Sequence, residues 1–237
     1  MSHFVVMVIG DDAEKQLEKY DESLELPPYI KHTKDELVAL KRKEIEDYRN
    51  TVYAKYLENK ELYKQGCENE RHIEYLENEF PQKLHWSDEQ VYQDAIKYSE
   101  IDEKGNVIST YNPDAKWDWY VRGGRWAGYL WLKEGTEPLV PVNFSWGWSE
   151  EEKQKVIDEN RADVAVKKDI ANLDNIIPFA IVKDGHWYEK GQMGWWAVVL
   201  NEKDDHIWEE EVKKLLEGLS DTKNTKISRA LWCAPVV

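Results

Sequence analysis

The fold begins with residues 3–9, His-Phe-Val-Val-Met-Val-Ile, which lead into Gly10-Asp11-Asp12. A short run of apolar and β-branched side chains that ends at glycine and aspartate predicts a buried strand followed by a turn. Residues 226–233 predict a last strand at the other end of the chain. Because strands lie at both ends and helices lie between them, we predict an α+β fold, with a mixed or antiparallel sheet that brings the N- and C-terminal strands together.

Three capping boxes mark where helices should start. In this motif a Ser or Thr hydroxyl accepts a hydrogen bond from a free amide of the first helical turn, and a Glu or Gln three residues later reaches back to the cap. The spacing occurs at Thr33 with Glu36, Ser87 with Gln90, and Ser149 with Glu152.

A helical block is predicted over residues 34–100. Its apolar side chains recur at steps of three to five residues, which favours one long amphipathic helix that ends near Gly66. A second helix should run from about Asn69 to Phe80 and stop at Pro81, because proline lacks the amide that a helix interior needs. We therefore predict a single α+β domain over all 237 residues, with this block inserted into it.

The second half of the chain predicts short strands and two further helices. Strands are expected at residues 107–111, 117–120, 125–132, 139–144 and 195–200, a hairpin at 178–188, a polar helix from Ser149 that contains Val156, Ile157, Val164 and Ile170, and a helix capped by Asp204 or Asp205.

Composition limits the classes of partner. A net charge of −15 disfavours a broad surface for nucleic acid or anionic membranes, since phosphate binding needs concentrated Lys and Arg. Mimicry of nucleic acid toward a basic partner is the alternative use of such charge. No apolar run is long enough for a membrane helix, and residues 1–4 lack the features of a signal peptide. Cys67 and Cys233 have no metal-ligand spacing, so we expect a protein of the reducing cytoplasm.

The densest functional signal lies between Trp117 and Trp148, a stretch that holds six of the twelve tryptophans. On a strand, Trp117 and Trp119 would face one side and could stack on a planar ligand. Arg122 and Arg125 flank two glycines that allow close backbone approach, and guanidinium groups suit phosphate or carboxylate. We predict a nucleotide-sized ligand site formed by Trp117, Trp119, Tyr120, Arg122, Gly123, Gly124, Arg125 and Trp126.

The same residues have an alternative, structural interpretation. The tryptophans would then build a core, and the arginines would stack on them or pair with Asp114 and Asp118. The density of indoles exceeds what a small sheet region requires, and this favours a pocket. A second aromatic run, residues 191–196, is interpreted as core and edge packing, because adjacent tryptophans on a strand point to opposite faces.

Patterns for catalysis are weak. No histidine pair has the spacing of a helical metal site, and nucleophile elbows, phosphate loops and dinucleotide motifs are absent from the sequence. His206 lies beside Asp204 and Asp205, which are more simply helix caps. His3 and His186, on two predicted strands, could form an acid/base pair for phosphoester cleavage. We predict no catalytic residue, metal or cofactor, and favour a protein that is not an enzyme.

Three segments together resemble a family of uncharacterised bacteriophage proteins: residues 1–10, the motif from Trp117 to Trp126, and residues 193–196. The resemblance spans nearly the whole chain. Family members often have Thr after His-Phe and a late Asp-Cys-His strand, where this chain has Val5 and Ala234 after Cys233, and this argues against a shared histidine chemistry. The resemblance implies a phage protein that disarms a host immune system or assists phage replication.

Our first functional hypothesis is a non-enzymatic sponge that sequesters a nucleotide-type immune signal, such as a cyclic nucleotide or an ADP-ribose derivative. Arg122 and Arg125 would bind phosphate, and Trp117, Trp119 or Trp126 would stack on the base.

Two alternatives stay open. The chain could inhibit a host defence enzyme through the acidic block at 34–100, or it could be a phosphodiesterase with His3 or His186 as general base. A pocket between the subunits of a homo-oligomer also fits, because aromatic residues and arginine favour interfaces.

Overall fold

The computed structural model describes residues 3–145, 147–194, 198–219 and 225–233. The chain divides into two compact units. The first consists of Met1–Glu25 with Tyr111–Val237, and the second is Leu26–Thr110. In the described residues, no helix has both the length and the apolar character that crossing a membrane requires.

The described residues form twelve strands and nine α-helices. The strands are β1 His3–Ile9, β2 Tyr29–His32, β3 Val107–Ser109, β4 Tyr120–Arg122, β5 Leu130–Trp131, β6 Arg161–Ala162, β7 Val164–Val166, β8 Ala180–Lys183, β9 His186–Glu189, β10 Gln192–Met193, β11 Val199–Leu200 and β12 Lys226–Cys233. The helices are α1 Ala13–Glu18, α2 Lys34–Tyr48, α3 Ala54–Glu58, α4 Lys60–Gly66, α5 Glu70–Glu74, α6 Phe80–Lys83, α7 Asp88–Ala95, α8 Glu150–Asp158 and α9 Asp205–Glu217.

A mixed sheet in the first unit joins the N- and C-terminal strands, which confirms the predicted α+β class. Its order is β4-β12-β1-β8-β9, and β7 pairs with the beginning of β12. β1 runs antiparallel to β12, with Ile9 opposite Ile227, and parallel to β8, with Val6 opposite Ala180.

Both faces of β1 are covered, as its apolar sequence predicts. Val6 and Val8 pack toward α1 through Leu17, whereas Met7 and Ile9 pack toward α9. Because alternate side chains of a strand point to opposite faces, two cores form around one strand. Two-sided burial therefore explains why the strand has no polar alternation.

The predicted hairpin after Pro178 is confirmed as β8 and β9. Asp184 and Gly185 join them with φ angles of 52° and 70°. Two successive residues with positive φ are typical of the type I′ turn, whose twist matches that of paired strands.

The second unit contains helices α2 to α7 and the antiparallel pair β2–β3. A core around Ile45, Phe80 and Val91 holds it together. The second predicted helix does not stop at Pro81 as we expected. A π-helical turn, Tyr75–Glu79, precedes α6, and Pro81 lies in the first turn of α6. Proline is tolerated there because the first amides of a helix have no intrahelical acceptor.

All three capping boxes are confirmed, at the starts of α2, α7 and α8. The predicted length of the last of these helices is wrong, because α8 ends at Asp158 and Asn160 turns the backbone to a φ of 52°. Val164 consequently lies in β7, and Ile170 forms an isolated antiparallel β-bridge with Leu132. The apolar spacing of these two residues reports strand burial, which periodicity alone does not separate from a helix.

Most strands predicted between positions 117 and 144 are also wrong. Only β4 and β5 form there, and residues 125–128 make turns. Glycines with positive φ at 123, 124 and 128 break the extended conformation. Of the strand predicted at 195–200, β11 is present, and residues 195–197 lie outside the described part of the chain.

Candidate functional site

A buried carboxylate holds the loop that carries the predicted motif. Asp163, which is 2% exposed, lies between β6 and β7. Its Oδ1 accepts a hydrogen bond from the Gly128 amide at 2.7 Å, and its Oδ2 accepts one from the Asn143 amide at 2.8 Å. Charge-assisted bonds of this kind are among the stronger ones in proteins. Asp163 therefore fixes residues 123–128 against the segment that contains Asn143.

Two positions in this loop need glycine for space as well as for conformation. Gly123 has a φ of 75°, and a Cβ there would collide with the Asp163 carboxylate and the Asn143 carbonyl. Gly128 has a φ of 66°, and a Cβ there would collide with Val156. The glycines thus permit the close approach that the sequence suggested, but the approaching groups belong to the protein itself.

Arg125 and Trp126, from this loop, line a cavity of about 550 Å³. Its other aromatic walls are Tyr129, Trp131 and Trp148. Arg161, Asn172 and Asn175 complete its polar lining. The volume is within the range of small-molecule sites, about 300 to 1,000 Å³. A concave surface of indoles with a few convergent polar groups is the usual form of such sites.

The two arginines of the cavity differ in their pairing. Arg161 lies opposite Trp131 in the β5–β6 pair, and its guanidinium carbon is 4.5 Å from the centre of that ring. It also forms an ion pair with Glu159. Arg125 is 5.6 Å from the centre of the Trp126 ring and has no carboxylate partner among the described residues. Arg125 is therefore the cation that remains available to an anion.

The neutral polar groups are similarly divided. Asn172 is held by the protein, because its Oδ1 accepts from the Trp131 amide at 2.9 Å and its Nδ2 donates to the Tyr129 carbonyl at 3.0 Å, which leaves the second N–H of its amide for a ligand. The Trp148 indole is fixed by a 3.0 Å hydrogen bond to the Gly124 carbonyl. Within the described residues, the Asn175 side chain makes no hydrogen bond, so its amide can serve a ligand.

Trp117 belongs to the core rather than to a ligand site. It is 7% exposed, its indole donates to the Leu17 carbonyl at 3.2 Å, and its ring packs edge-on against Tyr120. Burial raises the pKa of the Tyr120 hydroxyl. Trp119 is 44% exposed and lies near His3, so the two tryptophans do not share a face. The expectation of a common stacking surface fails because this segment is not a strand.

Arg122 and Arg125 do not face one pocket. Arg122 forms an ion pair with Glu14 and lines a smaller cavity of about 290 Å³, which also contains Lys226. That cavity is distinct in its lining from the one that Arg125 enters. Of the eight predicted site residues, the larger cavity takes Arg125 and Trp126, and the glycines at 123 and 124 shape their loop.

Arg161, Asn172 and Asn175 were missed by the sequence analysis. Arg161 reaches the cavity through the pairing of β5 with β6, which joins residues about thirty positions apart, and Asn172 reaches it through hydrogen bonds to the backbone of Tyr129 and Trp131. Trp131 and Trp148, by contrast, lie within the aromatic stretch that the sequence singled out. The sequence pattern that could have indicated the two asparagines is Asn-Leu-Asp-Asn at residues 172–175, because one 3₁₀ turn places its first and last side-chain amides on the same side.

The two histidines proposed as an acid/base pair are far apart. His186 is level with Ile9 across the intervening strand β8, and His3 is six residues farther along β1. At 3.3 Å per residue the separation is about 20 Å. Neither histidine lines the larger cavity. In the described residues, no group of three His, Cys, Asp or Glu side chains could hold a metal ion.

Comparison with known proteins identifies no relative. No protein-family model, curated protein or solved structure matches the chain. The chemistry of the cavity therefore has to be inferred from its own residues.

Proposed function

We propose that this chain is a binding protein that sequesters a nucleotide-type small molecule in the 550 Å³ cavity. Arg125 binds a phosphate group, and the indoles of Trp126, Trp131 and Trp148 provide the surfaces against which a base stacks. The observation that carries the proposal is Arg125: it enters an aromatic cavity without a carboxylate partner among the described residues.

The net charge of the chain supports a local anion site of this kind. At −15 the molecule repels anions at long range, so an anion must be bound by specific short contacts. A guanidinium group donates up to five hydrogen bonds in a planar fork that matches phosphate oxygens. Cation–π contact with Trp126 limits the freedom of Arg125 before binding, which lowers the entropy lost when a ligand is bound.

Binding without cleavage is favoured by the chemistry of the lining. No histidine, cysteine, lysine, aspartate or glutamate is among the described residues that line the cavity. General acid–base catalysis needs a titratable group within hydrogen-bonding reach of the substrate. Among the described residues of this lining, Tyr129 is the one side chain able to act in this way, and the lack of a second such group beside it supports a sponge over a phosphodiesterase.

The biological role we propose is counter-defence by a bacteriophage. It is supported by the resemblance of residues 1–10, 117–126 and 193–196 to phage proteins. A phage sponge would act in the host cytoplasm by lowering the concentration of an immune second messenger, such as a cyclic nucleotide or an ADP-ribose derivative. A stoichiometric binder needs only affinity for this task.

Inhibition of a host enzyme by an acidic helical block receives less support. Residues 34–100 contain 16 acidic and 11 basic side chains, a net charge of −5. This charge is close to the part of the total net charge that a segment of this length would carry if the charge were spread evenly along the chain. Several of the carboxylates are also paired within it, as Asp88 is with Arg42 and Glu77 with Lys64. The block is thus not a concentrated acidic surface.

Isothermal titration with purified full-length protein tests the proposal. The ligands are the common nucleoside monophosphates, cyclic mononucleotides, cyclic dinucleotides and ADP-ribose. Arg125→Gln should raise the dissociation constant of the ligand that binds best at least tenfold, since loss of a charged hydrogen-bond donor costs about 1.5–3 kcal/mol of binding free energy. Arg122→Gln, from the same motif but facing the other cavity, should stay within twofold of the wild type.

The proposal would be contradicted if none of these ligands gave a heat of binding. It would also be contradicted if the two arginine variants changed the dissociation constant equally. Chromatography of the ligand after long incubation separates binding from cleavage. A sponge returns the ligand intact, whereas a phosphodiesterase does not.

A further inference from the structure

We infer that the cavity takes a nucleotide with a single phosphate group, a nucleoside monophosphate or a cyclic mononucleotide, and does not favour a polyphosphate. This inference rests on the proposed function and narrows its ligand class. It is carried by the pairing of charged groups around the cavity.

The count of available cations supports one phosphate. Arg125 and Arg161 are the cationic side chains among the described residues that line the cavity. Arg161 is already neutralised by Glu159 and stacked on Trp131. Arg125 alone therefore contributes an uncompensated positive charge.

Glu159 also opposes a second phosphate. Its carboxylate is ion-paired with Arg161 and is one-third exposed. A phosphate placed on Arg161 would have to compete with this carboxylate and would lie within a few ångströms of a like charge. Like charges at such distances repel substantially at the low effective dielectric of a pocket.

Neutral groups offer little compensation. Asn172 uses its carbonyl oxygen and one N–H on the backbone of Trp131 and Tyr129, which leaves one N–H for a ligand. Asn175 has a free amide, which suits the polar edge of a base or a sugar hydroxyl as well as it suits phosphate. The lining thus provides one uncompensated charge, two neutral amides and several rings, which corresponds to one phosphate, the polar edge of a sugar or base, and one base.

A phosphate ladder tests the inference. Full-length protein is titrated first with the four nucleoside 5′-monophosphates, and then with the di- and triphosphate of the base that binds best. We expect the three dissociation constants to agree within threefold. A gain of more than threefold on going from mono- to diphosphate would overturn the inference while leaving the proposed function in place.

Glu159→Gln provides the complementary test. Removal of this carboxylate frees Arg161, so the diphosphate should gain at least fivefold relative to the monophosphate. Glu151→Gln removes one charge from the exposed first turn of α8 and should leave the ratio unchanged. An unchanged ratio in Glu159→Gln would refute the assigned role of Glu159. Absence of binding by every nucleotide would instead remove the proposed function, and the inference with it.

Discussion

At Asp163, one carboxylate accepts hydrogen bonds from two segments that are distant in sequence, at Gly128 and Asn143. The loop between positions 123 and 128 therefore lies against this carboxylate at one end, where Gly123 leaves no room for a Cβ beside it, and is hydrogen-bonded to it through Gly128 at the other. Arg125 and Trp126 project from a loop whose backbone is fixed. A binding site gains from such support because less order has to be created on binding.

Gly128→Ala should destabilise the protein by more than its conformation alone requires. Positive φ costs a non-glycine residue about 1 kcal/mol, and the collision with Val156 should raise the total to about 2–4 kcal/mol. Gly135→Ala is the matched control, since its φ is 78° but a Cβ there has no atom within 4 Å. Urea denaturation followed by far-UV circular dichroism measures both. Equal losses would show that the space at Gly128 is not limiting.

At this scale, the sequence pointed to two of the residues that line the cavity. Arg125 and Trp126 were predicted from their residue types, because guanidinium groups suit phosphate and indoles stack on planar ligands. It could not separate Arg122 from Arg125, which are three positions apart, because the carboxylate that pairs with Arg122 comes from α1, distant in sequence, whereas Arg125 has no carboxylate partner among the described residues. Nor could it place Trp117 in the core, since the acceptor of its indole is the Leu17 carbonyl, a hundred residues earlier.

Among the elements, the helix starts marked by capping boxes were predictable, whereas the end of α8 and the continuation past Pro81 were not. A capping box is a local pattern, so Thr33, Ser87 and Ser149 each mark a start correctly. The end of α8 depends on the left-handed conformation of Asn160, and the continuation past Pro81 depends on a π-helical turn. Both are set by tertiary packing, which overrides local preference.

One contact between helices should make the second unit sensitive to acid. Glu77 accepts hydrogen bonds from Lys64 and Tyr56, and these lower the pKa of its carboxyl below the ordinary value. A lowered pKa in the folded state gives stability that is present above the unfolded pKa and is lost as pH falls through the folded one.

In the Glu77→Gln variant, the free energy of unfolding should therefore fall less steeply than in the wild type as the pH is lowered from about 5 to about 3. The measurement is the urea midpoint at several pH values, with Glu68→Gln as the variant that removes an exposed charge from the same unit. A slope in Glu77→Gln as steep as that of the wild type would contradict this account.

At the scale of the whole molecule, the first and last residues of the second unit lie next to each other. The Leu26 amide donates to the Thr110 carbonyl at 2.9 Å, so the chain enters and leaves this unit at adjacent points. The unit has its own core around Phe80. The residues that line the 550 Å³ cavity all belong to the first unit.

Replacement of residues 26–110 by a short Gly-Ser linker should therefore preserve ligand binding. The hydrogen bond between Leu26 and Thr110 shows that the cut ends are close enough to join. Titration of the shortened chain should give a dissociation constant within threefold of the full-length value. Loss of binding in a shortened chain that keeps its circular dichroism and cooperative melting would place part of the site in the excised block.

The central position of β1 has a consequence for exchange of amide protons with solvent. Its backbone is bonded to β8 and β12 and covered on both faces, so we expect its amides to exchange only when the whole first unit opens. Amides of residues 123–128 lie in a loop outside the sheet and should exchange when that loop alone opens and its hydrogen bonds to Asp163 and Asn143 break. In a deuterium-uptake experiment with and without ligand, β1 therefore serves as an internal reference. Slower exchange at residues 123–128 with no change at β1 would report that the cavity is occupied, whereas slower exchange at both would report a general stabilisation.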